Sequence, residues 1–304
     1  MQSRFVVPFV VLLAVVGNTA CSTAHGHFES TLQVGTAPHV TINCPTGSVL
    51  VRGGSPGTVV VDADYTVTAI GASNILERWD KHPPISSGGS TVTIGTAEAS
   101  SSSPLRHLKF HYQIVVPSDA EVSTNIGVGD AKVSGLESRL KINAGAGKVD
   151  LSEFSGEGTI NSGVGHITAD HFSGKLKIHT GTGGLHVRAN QMKEGVIDLE
   201  TGAGNVEISD LRGGLKLHTG TGSVKVSGSP ASDWSIEDGT GSIEVSMAEK
   251  AAFNLKAECG AGNVSIAHPL TTVAAQSGRH VEGKVNGGGP NVTLKVGAGN
   301  ITIN

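Results

Sequence analysis

Beyond residue 120 apolar residues fall on alternate positions, and the alternation breaks at regular intervals. In GAGNVEISDLRGGLKLHTGTGSVKV (202–226), Val206 and Ile208 point one way, Leu211 follows after a break, and Leu215, Leu217 and Thr219 form a second row on that side. The same order appears in Val149, Leu151, Phe154, then Gly158, Ile160, Ser162, and again in Ile167, Ala169, Phe172, then Leu176, Ile178, Thr180. Period two over short runs marks half-buried strands, and no helical period competes with it here. Each stretch predicts two short strands joined by glycine turns.

The breaks are themselves periodic. Gly-x-Gly recurs at Gly127 and Gly129, Gly145 and Gly147, Gly163 and Gly165, Gly181 and Gly183, Gly202 and Gly204, Gly220 and Gly222, Gly239 and Gly241, Gly260 and Gly262, and Gly297 and Gly299. Successive spacings are 18, 18, 18, 21, 18, 19, 21 and 37 residues. One such unit cannot bury its apolar face alone, but copies stacked ~4.8 Å apart build a continuous core. The predicted fold is all-β: a single-stranded parallel β-helix, or β-solenoid, with coils of about 18–21 residues and Gly-x-Gly at the corners, where the chain turns sharply.

The outward positions, which did not define this alignment, agree with it. Stacking places Lys177, Asp198 and Lys216 in one column, His179, Glu200, His218 and Glu237 in a second, and His186, Glu207, Lys225 and Glu244 in a third. Like charges directly opposite would repel, so the alternation supports the register. One inward column is small or polar: Ala144, Ser162, Thr180, Thr201, Thr219, Asp238, Cys259. It reads as a hydroxyl ladder at a tight corner, with Asp238 bonding to backbone N–H groups and Cys259 a buried thiol.

Residues 28–120 carry irregular strand signals in HVTIN (39–43), TVVVDADYTV (58–67), STVTI (90–94) and KFHYQIVV (109–116), with flexible loops at 80–89 and 97–104. TINCPTGSVLV (41–51) resembles a degenerate coil with Cys44 facing inward. This section is expected to be an atypical N-terminal cap, leaving 121–304 as the regular array with an insert at about 267–290. Stacked in chain order, the array would end on the strand finishing at Ile303, an open edge. QSGRHVEGKVNGGGP (276–290) is expected to fold over that edge, or a second copy to pair with it end to end.

Composition narrows the partners. Glycine, 43 of 304 residues, is roughly twice its usual ~7%, as periodic corners require. With 22 basic and 26 acidic residues the net charge is −4, and no basic run with interleaved aromatics exists, so nucleic acid is excluded as a partner. The start, MQSRFVVPFVVLLAVVGNTACSTA, has a basic head, an apolar core and small residues before Cys21, which predicts a signal peptide over 1–20. Cleavage near Ala20 or Ala24 and lipidation of Cys21 are both open. Membrane contact would then be through that anchor alone. Cys44 and Cys259 make neither a disulfide framework nor a zinc knuckle.

These patterns resemble a bacterial family known as a "putative adhesin" domain of unknown function, built of β-strand repeats. The likeness rests on TINCPTGSVLV (41–51), YQIVVPSDAEV (112–122), the repeated T-G-x-G-[NS]-[VI]-x-[VI] and VEGKVNGGGPNVTLKVGAGNITI (281–303), and covers nearly all of the chain after its leader. It implies a β-helix-like fold at the cell envelope and supplies no catalytic residues or cofactors. Where many relatives have Ser-Asn-Gly-Asp-like corners, this chain has Thr-Gly-Thr-Gly and Thr-Gly-Ala-Gly.

Candidate chemistry is sparse. Gly181-Thr182-Gly183-Gly184 lacks both the last glycine of a dinucleotide fingerprint and a surrounding βαβ unit. Gly127-Val128-Gly129-Asp130 brushes against a calcium roll, but the other corners carry Lys148, His166, Gly184, Asn205 and Ser223. His179, Glu200 and His218 share an outward column, where two imidazoles could lean past a carboxylate toward one zinc ion. Asp198 and Glu200 lie on one face ~6.5–7 Å apart, a spacing open to glycoside hydrolysis, although two Trp and two Tyr leave little to stack sugars. The function expected is a non-catalytic, exported solenoid at the periplasm, outer membrane or cell surface. It would be an adhesin or scaffold binding envelope glycans or surface proteins, with an envelope-stress component or a polysaccharide-active enzyme as alternatives.

Overall fold

The computed structural model describes residues 22–69, 72–95, 108–189 and 195–304. Residues 1–20, Cys21 and the loop at 97–104 lie outside them. The chain divides into two compact units, Met1–Val149 and Asp150–Asn304.

The first unit contains β1 (Ser22–Gln33), β2 (His39–Gly54), β3 (Thr58–Ala69), α1 (Ala72–Lys81), β4 (Ile85–Gly88), β5 (Thr91–Ile94), β6 (Leu108–Pro117), β7 (Glu121–Leu136) and β8 (Arg139–Ala146). β2 is a coil: its two halves pair in parallel with β5 and β6 on one side, and β7 runs parallel along the other, followed by β8. Asn43, Asn125 and Asn143 stack through this ladder, each Nδ2 donating to the Oδ1 of the asparagine before it, at 3.0 and 2.8 Å. Beyond β6 the pairing becomes antiparallel, β6 to β3 and β3 to β1.

Two features of this unit depart from the sequence reading. The stretch 72–81 is a helix, which a search for period two passes over; its Trp79 packs edge-on against Tyr65 at 5.0 Å and against Phe110 at 5.5 Å. Gly26 leaves room beneath it, since a Cβ there would meet the Tyr65 ring and Leu76. The segment 80–89 is also not simply a loop: helix α1 ends in it, and β4 pairs antiparallel with β5.

The second unit holds β9 (Val149–Val164), β10 (Ile167–Thr182), β11 (Leu185–Arg188), β12 (Gly195–Ala203), β13 (Val206–Leu211), β14 (Gly214–Gly228), β15 (Trp234–Met247), β16 (Phe253–Ala261), β17 (Val264–Ile266), β18 (Leu270–Gln276), β19 (His280–Val285), β20 (Asn291–Ala298) and β21 (Ile301–Ile303). β10 through β15 stack in parallel in chain order, with the register that the glycine alignment predicts. The inward rows are fully buried, each such Leu or Ile contributing about 1.5–3 kcal/mol over leaving it exposed. The break before Phe154, Phe172 and Leu211 is a second corner, formed by Glu153, His171 and Asp210 at φ of +51°, +53° and +57°.

The Gly-x-Gly corner has two separate causes. At Gly181 a Cβ would lie 2.6 Å from the Gly163 carbonyl oxygen of the preceding coil. At Gly183 φ is +143°, and a Cβ would fall on the Gly165 carbonyl oxygen. The first glycine is needed for close approach of coils, the second for that and for its backbone conformation. The second glycines stack on one another in the same way: Gly147 on Gly129, Gly204 on Gly183, Gly222 on Gly204, Gly241 on Gly222 and Gly262 on Gly299. The corners are not all breaks between strands, as the sequence reading had them. β14 runs through Gly222 and β15 through Gly241, while Gly147, Gly204 and Gly262 do separate two strands. Coil-to-coil pairing is kept at Gly222 and Gly241, which face each other in the register, so the chain bends there without leaving its ladder.

The end of the stack corrects the expected order. β15 pairs not with β16 but with β20 and β21, and β16 and β17 pair with the other edges of those same strands. The last strands of the chain are thus interior, and the coil 253–266 lies outside them, which is why Gly262 rests on Gly299 rather than on Gly241. The hairpin β18–β19 then runs antiparallel along β16, so the insert covers the coil 253–266 rather than the strand ending at Ile303.

Candidate functional site

The outward columns of the second unit are ion-pair ladders. His179 Nδ1 lies 2.9 Å from Glu200 Oε2, and His218 Nδ1 lies 3.8 Å from Glu237 Oε2. Lys177 approaches Asp198 at 3.8 Å, His186 approaches Glu207 at 3.4 Å, and Lys225 approaches Glu244 at 3.5 Å. The inserted strand extends the second column: Lys295 stands between Glu237 and Glu258 in the register and bonds the former at 3.5 Å. Stacked in chain order, Glu237 would have met Glu258.

These pairings decide what the predicted residues can do together. His179 closes on Glu200, while His218 turns to Glu237, so the three do not converge on one point. Asp198 and Glu200 face the same side, each engaged by a cationic or imidazole neighbour of the previous coil.

Within the second unit the inward column is stacked as predicted, with one addition, Val296 between Asp238 and Cys259. It is not a hydrogen-bonded ladder. The hydroxyls of Ser162, Thr180, Thr201 and Thr219 are buried without a partner among the described residues. Asp238 is 4% exposed, and neither of its oxygens makes a well-formed hydrogen bond, contrary to the bonding expected of it. Burial raises its carboxyl above the ordinary 3.8, outweighing the Thr240 amide and His218, which act the other way. Cys259 donates to the Gly299 carbonyl at 2.9 Å. Cys44 and Cys259 are both free thiols, and burial pushes that of Cys44 up to about 12.

A different ladder, at the corners, escaped the sequence reading. At four of the Gly-x-Gly turns the residue after the turn accepts a backbone N–H from the corresponding position of the adjoining coil: Asp130 from Lys148 at 2.8 Å, His166 from Gly184 at 3.2 Å, Asn205 from Ser223 at 3.1 Å and Asn300 from Asn263 at 3.0 Å. This gives Asp130 a structural partner where a calcium roll would need a repeated carboxylate. The signal was present, since all three residue types, Asp, His and Asn, offer an acceptor at one distance from the chain.

Two of the open depressions among the described residues of the second unit are of similar size. One, about 560 Å³, is lined by Asp210, Arg212, Ser227, Ser229 and Ser246. The other, about 570 Å³, lies at the corner of the inserted strand among His218, Glu237, Glu258 and Lys295. Both belong to the stretch matched by a protein family. Residues 173–304 match the Toastrack DUF4097 family. The Toastrack region begins within β10 and includes the inserted strands and the capping hairpin.

Two solved structures resemble the chain. A "putative cell adhesion protein" from Clostridium sporogenes ATCC 15579 is 15% identical, with a TM-score of 0.27, over 91% of this chain and 98% of that one. A "putative adhesin" from Bacteroides fragilis NCTC 9343 is 12% identical, with a TM-score of 0.42, over 91% and 97%. No curated protein matches the chain.

Two further short runs were passed over, HGHFE (25–29) and VDADY (61–65). Their polar alternate positions come together only through the antiparallel register of β1 and β3.

Proposed function

We propose that the protein is an exported, non-catalytic β-solenoid of the bacterial envelope that binds an extended partner, glycan or surface protein, along the ladder face of its Toastrack region. The observation that carries this reading is the pairing of Asp198 with Lys177 and of Glu200 with His179. The carboxylates best spaced for hydrolysis stand on an open sheet face, 37% and 61% exposed and each engaged by a side chain of the previous coil, rather than flanking a cleft in which a glycosidic bond could be held between them. The face instead repeats its charges at every coil and opens into shallow depressions, features that suit a long ligand contacted at many points.

Protease shaving of intact cells, read against a periplasmic control protein, tests the reading. Degradation while the control survives would support capture of partners outside the cell. Protection until the outer envelope is breached would replace the adhesin with a periplasmic scaffold or envelope-stress component. New reducing ends or unsaturated products from a polysaccharide panel would overturn the non-catalytic part.

A further inference from the structure

The first unit presents an outer sheet face, opposite α1, whose side chains the ladders do not use. In β1, Phe28 is buried, so His27 and Glu29 point outward; in β3, Val61, Ala63 and Tyr65 are buried, so Asp62 and Asp64 do. The antiparallel register sets His27 opposite Asp64 and Glu29 opposite Asp62. His27 Nδ1 is then 3.0 Å from Asp64 Oδ1 and 3.6 Å from Asp62 Oδ1, and its Nε2 is 3.6 Å from Glu29 Oε1. The donor atoms of His27, Asp62 and Asp64 all lie within 4.8 Å of one another, the one such group among the described residues.

The charge balance of this cluster differs from that of the ladders. One imidazole meets three carboxylates, and no Lys or Arg among the described residues pairs with any of them. In the second unit, by contrast, Glu237 and Glu258 each have a lysine as well as a histidine. One ring nitrogen of His27 thus faces an oxygen of each aspartate.

We infer that His27, Asp62 and Asp64 bind a single zinc ion, with Glu29 holding the imidazole in place. Nδ1 and one oxygen from each aspartate are the mixed nitrogen and oxygen donors that zinc accepts at ~2.0–2.2 Å, with a fourth position left to water. Calcium is bound by oxygen ligands alone, whereas the donor that meets both aspartates here is an imidazole nitrogen, which suits zinc. Glu29 Oε1 stands 3.6 Å from Nε2 and would close on it to accept its proton once the ion is bound, the carboxylate–histidine–metal arrangement that fixes both the tautomer and the ring orientation. The ion ties β1 to β3, its one strand partner among the described residues.

Zinc titration of the purified, metal-stripped protein by calorimetry tests the assignment. One equivalent should bind at micromolar or tighter affinity and raise the melting temperature. His27→Gln and Asp64→Asn, both on the surface and checked for unchanged circular dichroism, should abolish it. Glu29→Gln should weaken it about 10–100-fold, and His179→Gln and His218→Gln should leave it intact. Absence of binding at micromolar zinc, retention of the equivalent in His27→Gln, its loss in His179→Gln, or equal affinity for calcium would each overturn the site.

Discussion

At Gly183 the φ of +143° and the Gly165 carbonyl beneath leave no place for a methyl group. Gly183→Ala is expected to cost at least about 1–3 kcal/mol from backbone strain alone, measured as a fall in the urea midpoint. The buried hydroxyl of Thr201 has the opposite sensitivity. Thr201→Val replaces an unpartnered hydroxyl with a methyl of similar size and should raise stability by about 1 kcal/mol or more. Asp238 couples the same column to pH. Its folded-state carboxyl titrates above the ordinary 3.8, so the folded chain holds the proton more tightly, and stability falls as pH rises from that ordinary value through the raised one. Asp238→Asn keeps an acceptor for Thr240 and removes the charge. It should raise the melting temperature at neutral pH and change it little near about pH 3; equal effects at both would assign the gain to packing. At this scale the glycines were legible because their spacing is their function. The unpartnered state of the hydroxyls was not, since a hydroxyl ladder and a stack of lone hydroxyls share one sequence.

Among elements, the inserted strand has the sharpest signature. Lys295 separates Glu237 from Glu258, and Lys295→Glu would stack three carboxylates. Because these groups are about half exposed, the loss should not exceed about 1 kcal/mol. It should shrink in about 1 M salt, and melting curves with and without salt would show both effects. The columns from β10 to β15 could be read from sequence because each coil follows its neighbour at 18–21 residues. The terminal order could not be read from spacing: 37 residues announces an insert without saying where the next strand goes. Charge held the missing information, since Glu237 against Glu258 was the one like-charged step in an alternating column. Helix α1 was hidden for another reason. Its Leu76 and Trp79 follow a helical spacing within a section whose other segments all alternate, and it forms because the aromatic cluster around Tyr65 and Phe110 needs a cover.

For the whole molecule, the fold class was written into the repeat, while the His27 cluster was not, because it joins runs whose pairing partner and direction the sequence leaves free. The second unit also makes a prediction about its C-terminus. A strand at the end of a stack can be removed with modest loss, but β20 and β21 are bonded on both sides. Deleting 291–304 should therefore abolish cooperative unfolding of that unit, seen as a broad thermal transition and rapid proteolysis of 234–285; a sharp transition would mean the two outer coils can close on each other. The same placement sets a timetable during synthesis. The coil 253–266 leaves the ribosome before the strands that belong beneath it, and so must stand by until β20 and β21 are made. A chain cut short anywhere before Asn291 either carries additional bare strand edges, which invite aggregation, or forces Glu237 against Glu258. The fold itself in this way registers whether β20 and β21 have arrived.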